Sequence, residues 1–174
     1  MTSFSPIVGP TPRVLILGSM PGVRSLRAGE YYAHPRNAFW GILEDLGTIP
    51  SGLGYCERTA AMAEAGIALW DVLRSCCRAG SLDASIVADS EEPNDIAGLL
   101  GAHPTIRAVL FNGAKAERAF RRYIEPGLPS DVRRRITLLR LPSTSPAHAV
   151  SAAVKRAAWR EVLAPPVREG EEER

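Results

Sequence analysis

Four short apolar runs constrain the fold more than anything else in the chain. They are RVLILG (13–18), IALWDVL (67–73), IRAVLFNG (106–113) and TLLRLP (137–142). Each suits a buried strand and is short for a helix. Between them lie stretches of helical character. In 37–46, Phe39, Trp40, Leu43 and Leu46 fall near one face; 56–65 is stopped by Gly66. Residues 93–100 carry proline at an early helical position, and 114–123 and 151–163 complete the set. Residues 19–36 and 75–87 read as loops. Continuous apolar strands alternating with helices predict an α/β chain: a three-layer α/β/α sandwich with a central four-stranded, mainly parallel sheet. Ligands of such sheets sit beyond the carboxyl ends of the strands. The four exits here are GSMPG, Trp70-Asp71, NGAK and LPSTSP, all polar or turn-rich, so the site is predicted where they converge.

A length of 174 residues suits one globular domain, read as 1–166, followed by an acidic tail over 167–174 that reads as disordered. The longest apolar runs are far short of the roughly 18 residues of a membrane span. No secretory leader is expected from MTSFSPIVGPTPR. Cys56, Cys76 and Cys77 have the spacing of neither a disulfide framework nor a zinc or iron–sulfur set. The expectation is a cytoplasmic protein with reduced thiols, no metal and no cofactor. Formal net charge is +2, with basic clusters at Arg121–Arg122, Arg133–Arg135 with Arg140, and Lys155, Arg156 and Arg160. These fit an acidic partner such as nucleic acid, or equally a solvated arginine-rich surface.

Two motifs carry the chemistry. The first is GSMPGVRSLRAGEYYAHPRNAFW (18–40) and the second is LPSTSPAHA (141–149). The first lacks the GxGxxG and GK[ST] patterns, so a dinucleotide or P-loop site is a weak reading. Together the two motifs resemble the uracil-DNA glycosylase superfamily, and most of all its deoxyinosine (hypoxanthine) branch. The mismatch-specific uracil/thymine branch shares the glycine–proline turn and the HPxNxFW segment. The resemblance spans roughly residues 13–163. It implies a monofunctional, metal-free enzyme that flips a deaminated nucleotide out of DNA and hydrolyses its N-glycosidic bond with water. Hypoxanthine is the first expected substrate. Uracil or a mismatched pyrimidine is the second, and a non-catalytic damaged-DNA-binding module of the same fold is a further alternative. The implied partner is DNA with a damaged base or its abasic product; the chain is expected to be a monomer without an obligate protein partner.

The resemblance also implies roles for particular residues. Gly18, Ser19, Met20, Pro21 and Gly22 form the turn whose backbone N–H groups stabilise the departing base. Many relatives have Asn or Asp at the position of Met20, and methionine cannot position water. Asn37 is therefore the expected catalytic residue; it also suits an N-cap for the helix it precedes. Gly22 stands where strictly uracil-specific relatives carry a tyrosine, and leaves room for a larger base. Tyr32 is expected to stack on the flipped base, unless the tyrosine pair simply packs the loop. Asp71 reads the base edge, caps the next segment or pairs with an arginine. Ser143, Thr144, Ser145 and Pro146 are expected to press on the DNA backbone, flanked by His148, with His34 contributing from the first motif. Phe39 and Trp40 read as core, and Asn112 as a structural residue holding a loop.

Overall fold

The computed structural model describes residues 1–163. The tail expectation at 167–174 lies outside the described residues. Four parallel strands form the central sheet: β1 (Val14–Gly18), β2 (Ile67–Asp71), β5 (Ala108–Asn112) and β6 (Thr137–Leu141), in the order β2-β1-β5-β6. Leu15 pairs with Ala68 and Val109, and Val109 with Leu138, so the register is continuous across the sheet.

Alternation along each strand sends side chains to two separate cores. Leu15, Leu17, Ala68, Val109 and Phe111 face one layer, made by α4 (Ile96–Ala102), α5 (Ala114–Tyr123) and α6 (Ser130–Arg135). Ile16, Ile67, Leu69 and Leu110 face the other, made by α2 (Phe39–Asp45), α3 (Tyr55–Glu64) and α7 (Ala152–Leu163). Phe39 and Trp40 belong to this second core and are almost wholly buried. The expected three-layer sandwich is thus the observed one.

Local boundaries differ in instructive ways. The segment 67–73 does not continue as one strand. It leaves the sheet at Asp71, and Leu73–Ser75 (β3) pairs antiparallel with Glu92–Pro93 (β4). Pro93 is therefore in a strand rather than in a helix, and α4 starts at Ile96, where the Asp95 carboxylate accepts the Gly98 N–H at 2.8 Å. The loop over 19–36 contains a six-residue helix, α1 (Val23–Ala28), closed by Gly29 at φ 70°.

The strand order reverses between β1 and β5. The chain goes from β1 outward to β2, then crosses back to β5 on the far side of β1. Loops leaving the two central strands must diverge there, which opens a crevice at their carboxyl ends. Gly18 and Asn112 are the last residues of those strands, one at the head of the first motif and the other facing the second.

Candidate active site

A cavity of about 550 Å³ fills that crevice. It is in the size range of small-ligand sites. Every candidate site residue named from the sequence lines it: Gly18, Ser19, Met20, Pro21, Gly22, Tyr32, His34, Asn37, Asp71, Ser143, Thr144, Ser145, Pro146 and His148.

The glycine turn approaches the end of β2 so closely that position 18 has no room for a side chain. A methyl group there would overlap Asp71 Oδ1 and stand 3.2 Å from the Tyr32 hydroxyl. Met20 is 6% exposed and packs in the core under α4 and α5. At Gly22 the next atom beyond a methyl would be Ser81 Oγ, at ordinary contact distance, so the glycine leaves cavity space there.

Tyr32 stacks on Phe39 with ring centroids 4.1 Å apart. Phe39 thus backs Tyr32, and Tyr32 presents the cavity wall. Tyr32 also has a positive φ of 56°, a conformation rare outside glycine. Tyr31 goes the other way into the core, where its hydroxyl donates to the Ser5 carbonyl and its own carbonyl accepts the Trp40 indole N–H. Burial and the nearby Asp71 charge hold the Tyr32 phenol well above its ordinary range, so it stays protonated.

Asn37 is half-buried just before α2. Its Oδ1 accepts the Phe39 N–H at 3.0 Å, so it does brace the start of the helix. That bond uses one lone pair and leaves the amide Nδ2 without a protein partner among the described residues. His34 turns its Nδ1 back to accept the Arg36 N–H.

Asp71 is buried at the carboxyl end of β2, and its Oδ2 has no hydrogen-bond partner. Among the described residues it caps nothing and makes no ion pair with an arginine. Burial pushes its pKa up to about 8; the neighbouring Asp83 charge adds to the rise, and Arg78 opposes it. At neutral pH the carboxyl is mostly protonated.

The second motif is bound to the first. The Thr144 carbonyl accepts the Ala38 N–H. Asn112 clamps the same residue twice: its Oδ1 accepts the Thr144 N–H at 2.8 Å, and its Nδ2 donates to Thr144 Oγ1 at 2.9 Å. Thr144 is completely buried. Its hydroxyl is therefore committed to the loop, contrary to the expected backbone contact, while Pro146 and His148 are exposed. From α7, Lys155 donates to the Ser145 carbonyl at 2.8 Å and Trp159 to the Pro142 carbonyl at 3.0 Å. Asn112 is structural as expected, but it holds the second motif. Replacing it by alanine leaves buried groups of Thr144 unpaired. Asn112→Ala is expected to lower stability by about 1–3 kcal/mol, read from the urea midpoint.

Sequence reasoning missed one wall, the segment 78–83. Arg78, largely buried, donates through Nη2 to the Pro21 carbonyl and through Nε to the Gly80 carbonyl. Ser81 Oγ accepts the Val23 N–H, and Asp83 accepts from Ser19 Oγ at 2.7 Å. This loop fastens the glycine turn from outside and sets Leu82, 56% exposed, on the cavity wall. Its only signal was an arginine and an aspartate in a stretch otherwise poor in charge. Arg24, Lys115 and Arg118 add positive charge to the cavity lining; Lys115 is also paired with Glu91.

A cleft at the switch point of a parallel sheet, with a glycine turn, an aromatic wall and a buried carboxyl, defines a base- or nucleotide-sized binding site. Residues 6–163 match the family model of the uracil DNA glycosylase superfamily, and the chain belongs to that superfamily. It is 38% identical over 114 residues to a hypoxanthine DNA glycosylase of Methanosarcina barkeri, covering 65% of this chain and 71% of that protein. Over the same length it is 35% identical to a hypoxanthine DNA glycosylase of Methanosarcina acetivorans. A solution NMR structure from Methanosarcina acetivorans, provisionally described as a uracil DNA glycosylase, superposes with a TM-score of 0.76 at 28% identity. That superposition covers 92% of this chain and 94% of the other. Among the described residues, no helix is long and apolar enough to cross a membrane.

Proposed function

We propose that the chain is a monofunctional DNA glycosylase that extrudes a deaminated base and hydrolyses its N-glycosidic bond, with hypoxanthine as the preferred base. The observation that carries this reading is the convergence of the two distant motifs on one cavity at the end of β1 and β5. The similar Methanosarcina hypoxanthine glycosylases support the choice of base, as does the open space at Gly22. The same reading has the chain act as a cytoplasmic monomer on damaged DNA, without metal or cofactor.

In this mechanism the target nucleotide leaves the stack, because its glycosidic bond is inaccessible inside the duplex. Tyr32, backed by Phe39, stacks on the base. The bond from C1′ to the base breaks with its electron pair going to the base, and the backbone donors of 18–22 stabilise that negative charge. Asn37 places the water whose oxygen bonds to C1′; the proton it sheds passes to solvent, from which the base anion takes one up to leave as the neutral base. Ser143, Ser145, Pro146, His148 and His34 hold the DNA backbone around the extruded nucleotide.

The test is direct. Duplexes carrying hypoxanthine, uracil, a G·T mismatch or xanthine are incubated with the protein, and abasic sites are then cleaved with alkali. Release of hypoxanthine above the others is expected. Release of uracil alone overturns the base preference. No release, with binding to abasic DNA retained, makes the chain a binding module. Affinity is expected to fall linearly in log–log salt titration if the cations lining the cavity, Arg24, Lys115 and Arg118, displace counterions from phosphates. A flat salt response overturns a part for Arg24, Lys115 and Arg118 in binding the DNA backbone.

A further inference from the structure

Arg78 stands behind the glycine turn. Three residues of its loop, Ser81, Leu82 and Asp83, line the cavity, and Arg78 does not. Its side chain is fully buried, and its Nη1 has no hydrogen-bond partner among the described residues. Its carboxylate neighbour, Asp83 Oδ1, is 3.9 Å from Nη1 and already accepts the Ser19 hydroxyl at 2.7 Å. A buried guanidinium so loosely held by its counter-charge costs stability. What it does make is a firm grip on two carbonyls: Nη2 donates to Pro21 at 2.5 Å and Nε to Gly80 at 3.0 Å.

Peptide geometry carries that grip across the turn. In a planar trans peptide the C=O and the N–H point in opposite directions. Pro21 and Gly22 both line the cavity. With the Pro21 carbonyl turned outward to Arg78, the Gly22 N–H is turned inward. That N–H has no acceptor among the described residues. Its neighbours have nothing to add: Pro21 carries no N–H, and the Val23 N–H is given to Ser81 Oγ. A carbonyl that accepts from a cation is also polarised, and its amide N–H becomes a stronger donor.

We infer that Arg78 is a positioning residue for base release. It aims and polarises the Gly22 N–H toward the place where the departing base gathers negative charge. This rests on the glycosylase reading, which gives that task to the turn as a whole. It adds the residue outside the cavity that prepares the turn and the single donor through which it acts. The guanidinium charge thus bears on the base anion through one peptide, without lining the pocket. Donors of this kind act by being fixed before the reaction begins. Lysine at this position keeps the charge but loses the fork that holds two carbonyls at once.

The experiment measures single-turnover release of hypoxanthine. Affinity for a duplex with a tetrahydrofuran abasic analogue is measured in parallel, since that ligand has no departing base. Arg78→Lys is expected to lose about tenfold or more in release, with abasic affinity within about twofold of wild type. Arg78→Ala is expected to lose more, and to regain about fivefold or more with millimolar guanidinium but nothing with sodium at equal ionic strength. A third protein carries glycolic acid in place of Gly22, an ester that keeps the chain and removes the N–H. Joined to Arg78→Lys, it is expected to be little worse than the ester alone, as for groups acting as a unit. Arg78→Lys and the ester decide the question even where the alanine variant does not fold. An active wild type whose Arg78→Lys variant keeps its release rate overturns the inference alone. So do release and abasic affinity that fall together, or effects of Arg78→Lys and the ester that simply multiply. A wild type that releases no base overturns the glycosylase reading and the inference with it.

Discussion

Asn37→Ala is expected to lower the single-turnover rate of base release by about 10²–10³, the range seen when a positioned polar group that acts on the reacting atoms is removed. Affinity for an abasic-analogue duplex should stay within twofold. The turn at 18–22 offers backbone groups and, in Met20, an apolar side chain packed in the core. Water placement in this reading therefore falls to Asn37, which lines the cavity with its amide free. The competing explanation is local. Asn37 accepts the Phe39 N–H, and loss of such a bond costs about 0.5–2 kcal/mol of stability. Asn37→Ser separates the two: a short hydroxyl can satisfy the helix start but does not reach as an amide does. If serine restores stability and not the rate, the water role stands. If it restores both, Asn37 acts only through α2.

The frame of this molecule was legible because its chemistry is one-dimensional. An apolar run such as VLILG is buried on both sides, and the alternation of such runs with helices leaves a parallel sheet as the economical solution. The two motifs were legible for the same reason, since each is contiguous in the chain. What escaped depends on contacts between distant segments. Leu73–Ser75 separates from β2 because Glu92–Pro93 offers it another partner. Val23–Ala28 is too short to announce itself by periodicity. The loop at 78–83 becomes a wall only because Arg78 meets the Pro21 carbonyl, 57 positions away. Thr144 illustrates the same limit at one residue. A hydroxyl in a serine- and proline-rich turn looks solvent-facing until Asn112, 32 positions upstream, is seen to hold it. Asp71 was open between base reading, capping and an ion pair; that its buried Oδ2 meets no hydrogen-bond partner among the described residues is a fact only the fold reveals.

Base release by the wild type is expected to decline as pH rises through about 8, and Asp71→Asn is expected to remove that decline. Beyond burial, the groups acting on Asp71 are Asp83, which raises its pKa, and Arg78, which lowers it, both from the loop; Tyr31 and Tyr32 of the first motif face it as neutral phenols. Burial dominates and holds the carboxyl neutral until about pH 8. If Asp71 reads the base, its neutral carboxyl accepts a ring N–H without placing charge beside the base. Once ionised, it faces a base that is itself becoming an anion. Two like charges about 4 Å apart repel by about 4 kcal/mol at an effective dielectric constant of about 20, enough to slow the reaction more than tenfold. Asparagine keeps a carbonyl acceptor and cannot ionise. Stability supplies an independent readout with the opposite requirement on function. For an acid whose folded pKa is raised, the contribution is fully present below the unfolded value, near 3.8, and is lost as pH rises to about 8. Each pH unit in that window removes about 1.4 kcal/mol for one linked proton. Asp71→Asn should therefore raise the urea midpoint at pH 8 far more than at pH 5. Parallel stability curves for wild type and variant, or an alkaline limb that survives in Asp71→Asn, would place the ionising group elsewhere in the cavity.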